Sequence, residues 1–156
     1  MVRLGLLVAA AVVALDHLSK WLVRDIVMDP PRLIPVTAFF NLVEVWNRGV
    51  SFGLFGSDSP WTPVVLSGVA IVITVTLLVW LRRTETPLLA VALGAVIGGA
   101  IGNVIDRAIW GQVYDFLDFH AGGLHWPAFN VADSAITVGV ALILLDGLFA
   151  KTREAG

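Results

Sequence analysis

GGAIGNVIDRAIWGQVYDFLDF (residues 98–119), continued after His120 by AGGLHWPAFNVADSA (121–135), decides how this chain is read. Asn103, Asp106, Arg107, Asp115, Asn130 and Asp133 stand in it between two greasy stretches. An ionisable side chain in a membrane span costs roughly 2.5–3.5 kcal/mol on insertion scales, so its presence points to function. Several carboxylates near one membrane surface suggest acid–base chemistry carried out beside lipid.

Outward from this stretch, composition supports a membrane setting. The 156 residues are 58% hydrophobic and 14% charged, with no cysteine; soluble domains average about 45–50% apolar and about 25% charged. The chain reads as one integral membrane domain, 1–156, too short to divide. A net charge of −2 argues against a nucleic-acid partner. Without cysteine there is no disulfide, thiolate nucleophile or cysteine-ligated metal.

Four stretches have the roughly 20 apolar residues a membrane helix needs: 2–23, 61–81, 87–109 and 131–150. The first has the outline of a cleavable signal peptide, with Arg3, an apolar run and Ala14, but the pattern resumes at Trp21-Leu22-Val23, so a retained span is expected. Arg3, Arg82, Arg83, Lys151 and Arg153 crowd the two termini and the short loop between spans two and three. By the positive-inside rule both termini are cytoplasmic, and the longer loops, 24–60 and 110–130, lie outside. Asp16 then sits about 18 Å beyond Leu4, in the outer half of the bilayer. Asp106 near the end of span three, Asp133 in the first turn of span four and Asp115 in the outer loop reach the same level.

In the first outer loop Pro30, Pro31 and Pro35 prevent a long helix. Phe40, Leu42, Glu44 and Trp46 alternate with Asn41, Val43, Val45 and Asn47, a period of two that predicts strands in a small sheet on the membrane surface. Phe52, Leu54, Phe55 and Trp61 suit an interfacial helix or loop. Trp46, Trp61, Trp80, Trp110 and Trp126 mostly fall where aromatic belts belong. The fold class is therefore membrane all-α with a small β element.

Each motif has a structural reading beside its functional one. Asn130 followed by Asp133 is an ordinary helix start; the catalytic reading gains because Asp115 can approach Asp133 from the loop. Asp106-Arg107 suits an ion pair at a helix end, and a structural or supporting role is favoured, with Asn103 one turn before Arg107 on the same face. Asp16 and Lys20, also one turn apart, suit a satisfied internal pair. Asp118 and His120 read as decoration of a solvated loop, and Asp146 as an interfacial charge. His17, His120 and His125 lack metal-ligand spacing, so no metal is expected. Ser19 and Ser134 stand outside any G-x-S-x-G context. Gly98 and Gly102 have small-xxx-small spacing, which lets helices pack closely.

Five blocks in order resemble the lipoprotein signal peptidase (signal peptidase II) family of bacterial membrane aspartyl proteases. They are Asp16-His17-Leu18-Ser19-Lys20, Asn47-Arg48-Gly49-Val50-Ser51-Phe52-Gly53, GGAIGNVIDR at 98–107, Val113-Tyr114-Asp115-Phe116 and PAFNVADS at 127–134. Tyr114 departs from the family's more usual Val. The resemblance implies four transmembrane helices, an extracytoplasmic β-cradle and a mobile outer segment. It implies catalytic Asp115 and Asp133, with Asp16, Lys20, Asn47, Gly49, Asn103, Asp106, Arg107 and Asn130 in support. The implied reaction cleaves prolipoproteins before a diacylglyceryl-modified cysteine, with no cofactor. Substrate acyl chains held in membrane lipid would set the depth of the scissile bond. From loop position alone, Asn47 and Arg48 are expected to position substrate backbone and Phe52–Phe55 to cover the site. A monomer is the simplest case, since one chain holds every motif. Two rivals are a proton-coupled transporter, which needs a polar path to the inner side, and a non-catalytic scaffold, which needs no paired aspartates.

Overall fold

The computed structural model describes residues 1–49 and 59–154. Four helices in it are long and apolar enough to cross a membrane. They are α1 (Val2–Leu22), extended by a π-helical turn at Val23–Val27, α2 (Thr62–Arg82), α3 (Pro87–Trp110) and α4 (Val131–Glu154). Their bounds follow the apolar runs closely. α3 starts where Thr86 accepts the Leu89 N–H at 3.3 Å and Pro87 takes the first helical position. It stops at Gly111, whose φ of 69° closes the helix with an N–H bond to the Arg107 carbonyl at 3.0 Å.

α3 is the central post, packed against α1, α2 and α4. Small residues make this possible. A Cβ on Gly98 would lie 2.6 Å from the Ala9 carbonyl oxygen, and one on Gly99 would run into the Ala132 carbonyl. The glycines therefore serve close helix packing, as their spacing predicts. Ala9, Leu81, Ala90, Leu93 and Ile97 form a buried apolar cluster between α1, α2 and α3. Val64, Val65, Val69, Val72 and Val75 of α2 are exposed, as suits a face turned to hydrocarbon.

The two longer connections meet in one antiparallel sheet of order β1-β2-β3-β4. Its strands are β1 (Ile34–Thr37), β2 (Phe40–Asn47), β3 (Val113–Ala121) and β4 (Leu124–His125). The alternating segment is thus a strand, as expected. The 110–130 connection, expected as a loop, is mostly strand. In β2 three steps, Leu42 to Val45, face two in β3, Leu117 to Asp115, which marks a bulge beside Asp115. Beyond β4 the chain keeps to the side of β3: Trp126 N–H reaches the Phe119 carbonyl at 2.7 Å, and Phe129 N–H the Leu117 carbonyl at 3.1 Å. Trp46 packs on Tyr114 and Trp110, and the Arg24 guanidinium lies 5.0 Å from the Trp110 ring, tying the C-terminal ends of α1 and α3 to the sheet. The proposed covering residues Phe52, Leu54 and Phe55 lie outside the described residues.

Candidate active site

Asn130 is the hub. It caps α4: its Oδ1 accepts the Asp133 N–H at 2.9 Å, while Asp133 Oδ2 accepts the Asn130 N–H at 3.3 Å. This reciprocal arrangement satisfies two donors at the helix start and fixes the Asp133 rotamer. The Asn130 amide also donates to Asp115 Oδ1 at 2.7 Å and to Asn103 Oδ1 at 3.3 Å. Asn103 donates in turn to Asp133 Oδ1 at 2.8 Å. One chain of amides from α3 and the α4 cap thus links the carboxylate on β3 with the carboxylate on α4. Asn47, at the end of β2, donates to the other oxygen of Asp115 at 3.0 Å and accepts the Gly49 N–H at 2.9 Å.

Asp115 is fully buried. Burial first, then the negative charge of Asp133, push its carboxyl up to about 7, against the Asn47 and Asn130 amides and the charge of Lys20, which favour ionisation. A carboxyl poised there can hold a proton or release it near neutral pH.

Beneath lies a second layer. Lys20 Nζ stands 2.6 Å from Asp16 Oδ2 and 2.7 Å from Asp106 Oδ2, with all three side chains buried. Asp16 Oδ1 also accepts the Ala132 N–H at 2.9 Å, and Asp106 accepts the Tyr114 N–H at 3.2 Å. One cation therefore joins α1 to α3, and its two carboxylates hold the backbones next to Asp133 and Asp115. The expected Asp16–Lys20 pair is present and gains a third member. The expected Asp106–Arg107 pair is not: successive helical residues point to different faces, so Asp106 turns to Lys20 and Arg107 turns away. Arg107 donates to the Gly49 carbonyl at 3.0 Å and to the Asn103 carbonyl at 3.4 Å. Arg48 reaches Gln112 Oε1 at 3.4 Å, on the rim.

The reading of Asp118 as loop decoration is corrected. It is buried on β3, accepting from Asn41 at 2.8 Å and contacting His125 Nδ1 at 2.8 Å. Sequence reasoning also missed the backbone donors of Ala132 and Tyr114, which carry no residue-type signal. Among the described residues no group of three or more His, Asp or Glu is placed to hold a metal ion.

A groove of about 710 Å³ opens beside Asp133. Its walls are apolar, from Val69 and Ile73 of α2, Val96 and Ala100 of α3, Ile136 of α4, and Trp126 and Phe129. Asn103, Arg107 and Asp133 form its polar end. Such a shape suits a largely apolar ligand with one polar, reactive segment.

Four membrane helices, a surface sheet and two amide-linked carboxylates at one end define a multi-pass membrane protein equipped for acid–base hydrolysis. Comparison with known proteins makes this specific. Residues 8–149 match the family model for Signal peptidase (SPase) II. The chain is 49% identical over 150 residues to the lipoprotein signal peptidase of Methylorubrum extorquens (strain PA1), covering 94% of this chain and 86% of that one. It is 50% identical over 140 residues to that of Azoarcus sp. (strain BH72), covering 89% and 79%. A bacterial membrane enzyme structure determined by the in meso method at 2.3 Å superposes with a TM-score of 0.82 at 28% identity, covering 96% of this chain and 90% of that one. The chain belongs to the signal peptidase II family, whose members are membrane aspartic proteases.

Proposed function

We propose that this protein removes signal peptides from prolipoproteins by hydrolysing the bond before a diacylglyceryl-modified cysteine, with Asp115 and Asp133 as the catalytic pair. The observation that carries the assignment is the shared amide scaffold: Asn130 and Asn103 between them bond both carboxylates, which come from separate elements.

Two neighbouring carboxyls hold one proton between them, because a second negative charge is disfavoured. The ionised member takes a proton from water, whose oxygen attacks the scissile carbonyl carbon. The protonated member hydrogen-bonds the carbonyl oxygen as it gains negative charge. The tetrahedral intermediate collapses with cleavage of the C–N bond, and the departing cysteine nitrogen receives a proton from the pair. The signal peptide leaves with a new carboxylate. The two pKa values belong to the pair rather than to either residue.

The remaining residues support this chemistry. Asn47, Asn103 and Asn130 orient the carboxylates; Asp16, Lys20 and Asp106 brace the elements that carry them; Gly49 and Arg107 close the rim over Asn103. Arg48 positions substrate backbone from the rim. The groove receives the apolar substrate, and acyl chains anchored in lipid supply part of the orientation that catalysis needs. The protein works as a monomer in one structural unit, in the bacterial inner membrane, with cytoplasmic termini and the site at the outer leaflet. A transport path is disfavoured by the inner part of the bundle, whose buried cluster is apolar.

The test is cleavage of a diacylglyceryl-modified prolipoprotein by purified protein in detergent, with Asp115→Asn and Asp133→Asn in parallel. Cleavage before the lipidated cysteine by wild type and by neither folded variant is the expected result. Near-normal activity in either variant would remove that residue from the pair. A folded wild type that never cleaves would overturn the substrate assignment.

A further inference from the structure

We propose that Asp118 and His125 form a clasp that positions the Trp126–Asn130 wall of the groove and thereby sets how substrate docks; this rests on the groove and carboxylate-pair reading above. Asp118 is buried and bridges three strands. Its Oδ2 accepts from Asn41 of β2, and both of its oxygens lie within 2.8–3.0 Å of His125 Nδ1 on β4. An ionised carboxylate only accepts, so Nδ1 faces it with its hydrogen. The imidazole of His125 is half exposed and stacks on His120, 5.0 Å between ring centres.

The place of this contact gives it leverage. β4 is two residues long, and its ladder with β3 consists of His120 with His125 and Ala121 with Leu124. The turn before it, Gly122-Gly123, has positive φ at both residues and folds no side chain into the protein. Backbone bonds from Trp126 and Phe129 to β3 hold the returning segment further on, and the side-chain clasp fixes its start at His125. Directly after His125 come Trp126, Pro127 and Phe129, which line the groove, and then Asn130, which holds Asp115 and caps α4. Asn130 has its own bonds to α3 and β3, so a released clasp loosens the groove wall more than the carboxylate pair.

Asp118 and His125 are thus positioning residues, and the expected signature is a change in KM with little change in kcat. For His125→Ala, KM should rise about five- to tenfold while kcat stays within about twofold, the net scale of one lost hydrogen bond at a half-exposed site. His125→Asn carries an N–H where Nδ1–H stood and should restore KM to within about twofold; His125→Gln, with its amide one carbon further out, should not. Asp118→Asn combined with His125→Ala should be no worse than the more affected single variant. An unchanged KM in His125→Ala, equal behaviour of Asn and Gln, or a fall in kcat at constant KM would each overturn the clasp. Should His125→Ala fail to fold, the Asn and Gln variants carry the test, since both keep a polar side chain at an exposed site. Asp115→Asn is run alongside: retained cleavage there removes the carboxylate-pair reading, a result separate from any KM shift at His125.

Discussion

Asp115 is a carboxylate that folding makes harder to ionise, and this gives stability a pH dependence of definite sign. Its folded value is raised to about 7, above the ordinary unfolded value of about 3.9. The folded state therefore binds more protons than the unfolded chain between those values, and stability falls as pH rises through the interval. The protonated group's contribution is complete below about pH 4 and lost above about pH 7. Asp115→Asn takes one carboxyl out of the pair and keeps an uncharged side chain of the same shape. Thermal unfolding in detergent should show the variant gaining on wild type from pH 5 to pH 8, with the widest gap at pH 8, while cleavage falls by roughly 10²–10⁴-fold. A gap that narrows toward high pH would contradict the burial argument. Chain arithmetic brings Asp16, Asp106, Asp115 and Asp133 to one depth, and the resemblance singles out Asp115 and Asp133 among them as the proposed pair. Asn130 by itself reads as a cap, and only the resemblance adds a supporting role. Its bonds to Asp115 and Asn103 depend on elements that meet in three dimensions. Asp118 misled because β3 begins buried on both faces, Val113 through Phe116, so the period of two that betrays a half-exposed strand is missing there.

Elements are held together at this site by one cation and several absent side chains. Lys20 serves two buried carboxylates, so Lys20→Met leaves both uncompensated and should destabilise the fold by about 3–5 kcal/mol, read as a loss of folded yield and a lower unfolding temperature. The closeness of α3 and α4 depends on Gly99, where a methyl group would meet the Ala132 backbone carbonyl. Backbone cannot yield as a flexible side chain can, so Gly99→Ala should separate the helices next to Asp133 and lower both unfolding temperature and activity. Gly68 on α2 has nothing within 4 Å of the position a Cβ would take. Gly68→Ala should leave both properties near wild type, and equal damage from the two substitutions would show that packing is not the cause. Helix spans were readable because an apolar run of sufficient length has few other fates in a membrane protein, and β2 because it alternates. The direction of Asp106 toward Lys20 was not readable from adjacency to Arg107; it needed the face of α3 that α1 covers.

Among the described residues the buried carboxylate network is gathered at one end of the bundle, and that asymmetry makes the proposed orientation testable. The carboxylate network and the sheet lie together at the end where α1 finishes, α3 finishes and α4 begins. The other end carries Arg82 and Arg83 and the short turn to Thr86, whose hydroxyl caps α3 and lies 3.4 Å from Asp146. Positive residues concentrated at that end predict that it is cytoplasmic. The absence of cysteine makes the measurement clean, because a single introduced thiol is the only reactive one in the chain. Ala121→Cys, on an exposed residue of β3, should react with a membrane-impermeant maleimide added to intact spheroplasts. Glu85→Cys, exposed in the turn between α2 and α3, should react only after the membrane is opened. Both positions are distant from the proposed catalytic pair in the fold, so each variant should retain cleavage and report on an active enzyme. The reverse labelling pattern would put the carboxylates on the cytoplasmic side, out of reach of a lipoprotein precursor whose lipidated cysteine lies at the outer leaflet. The orientation and the substrate reading therefore stand or fall together.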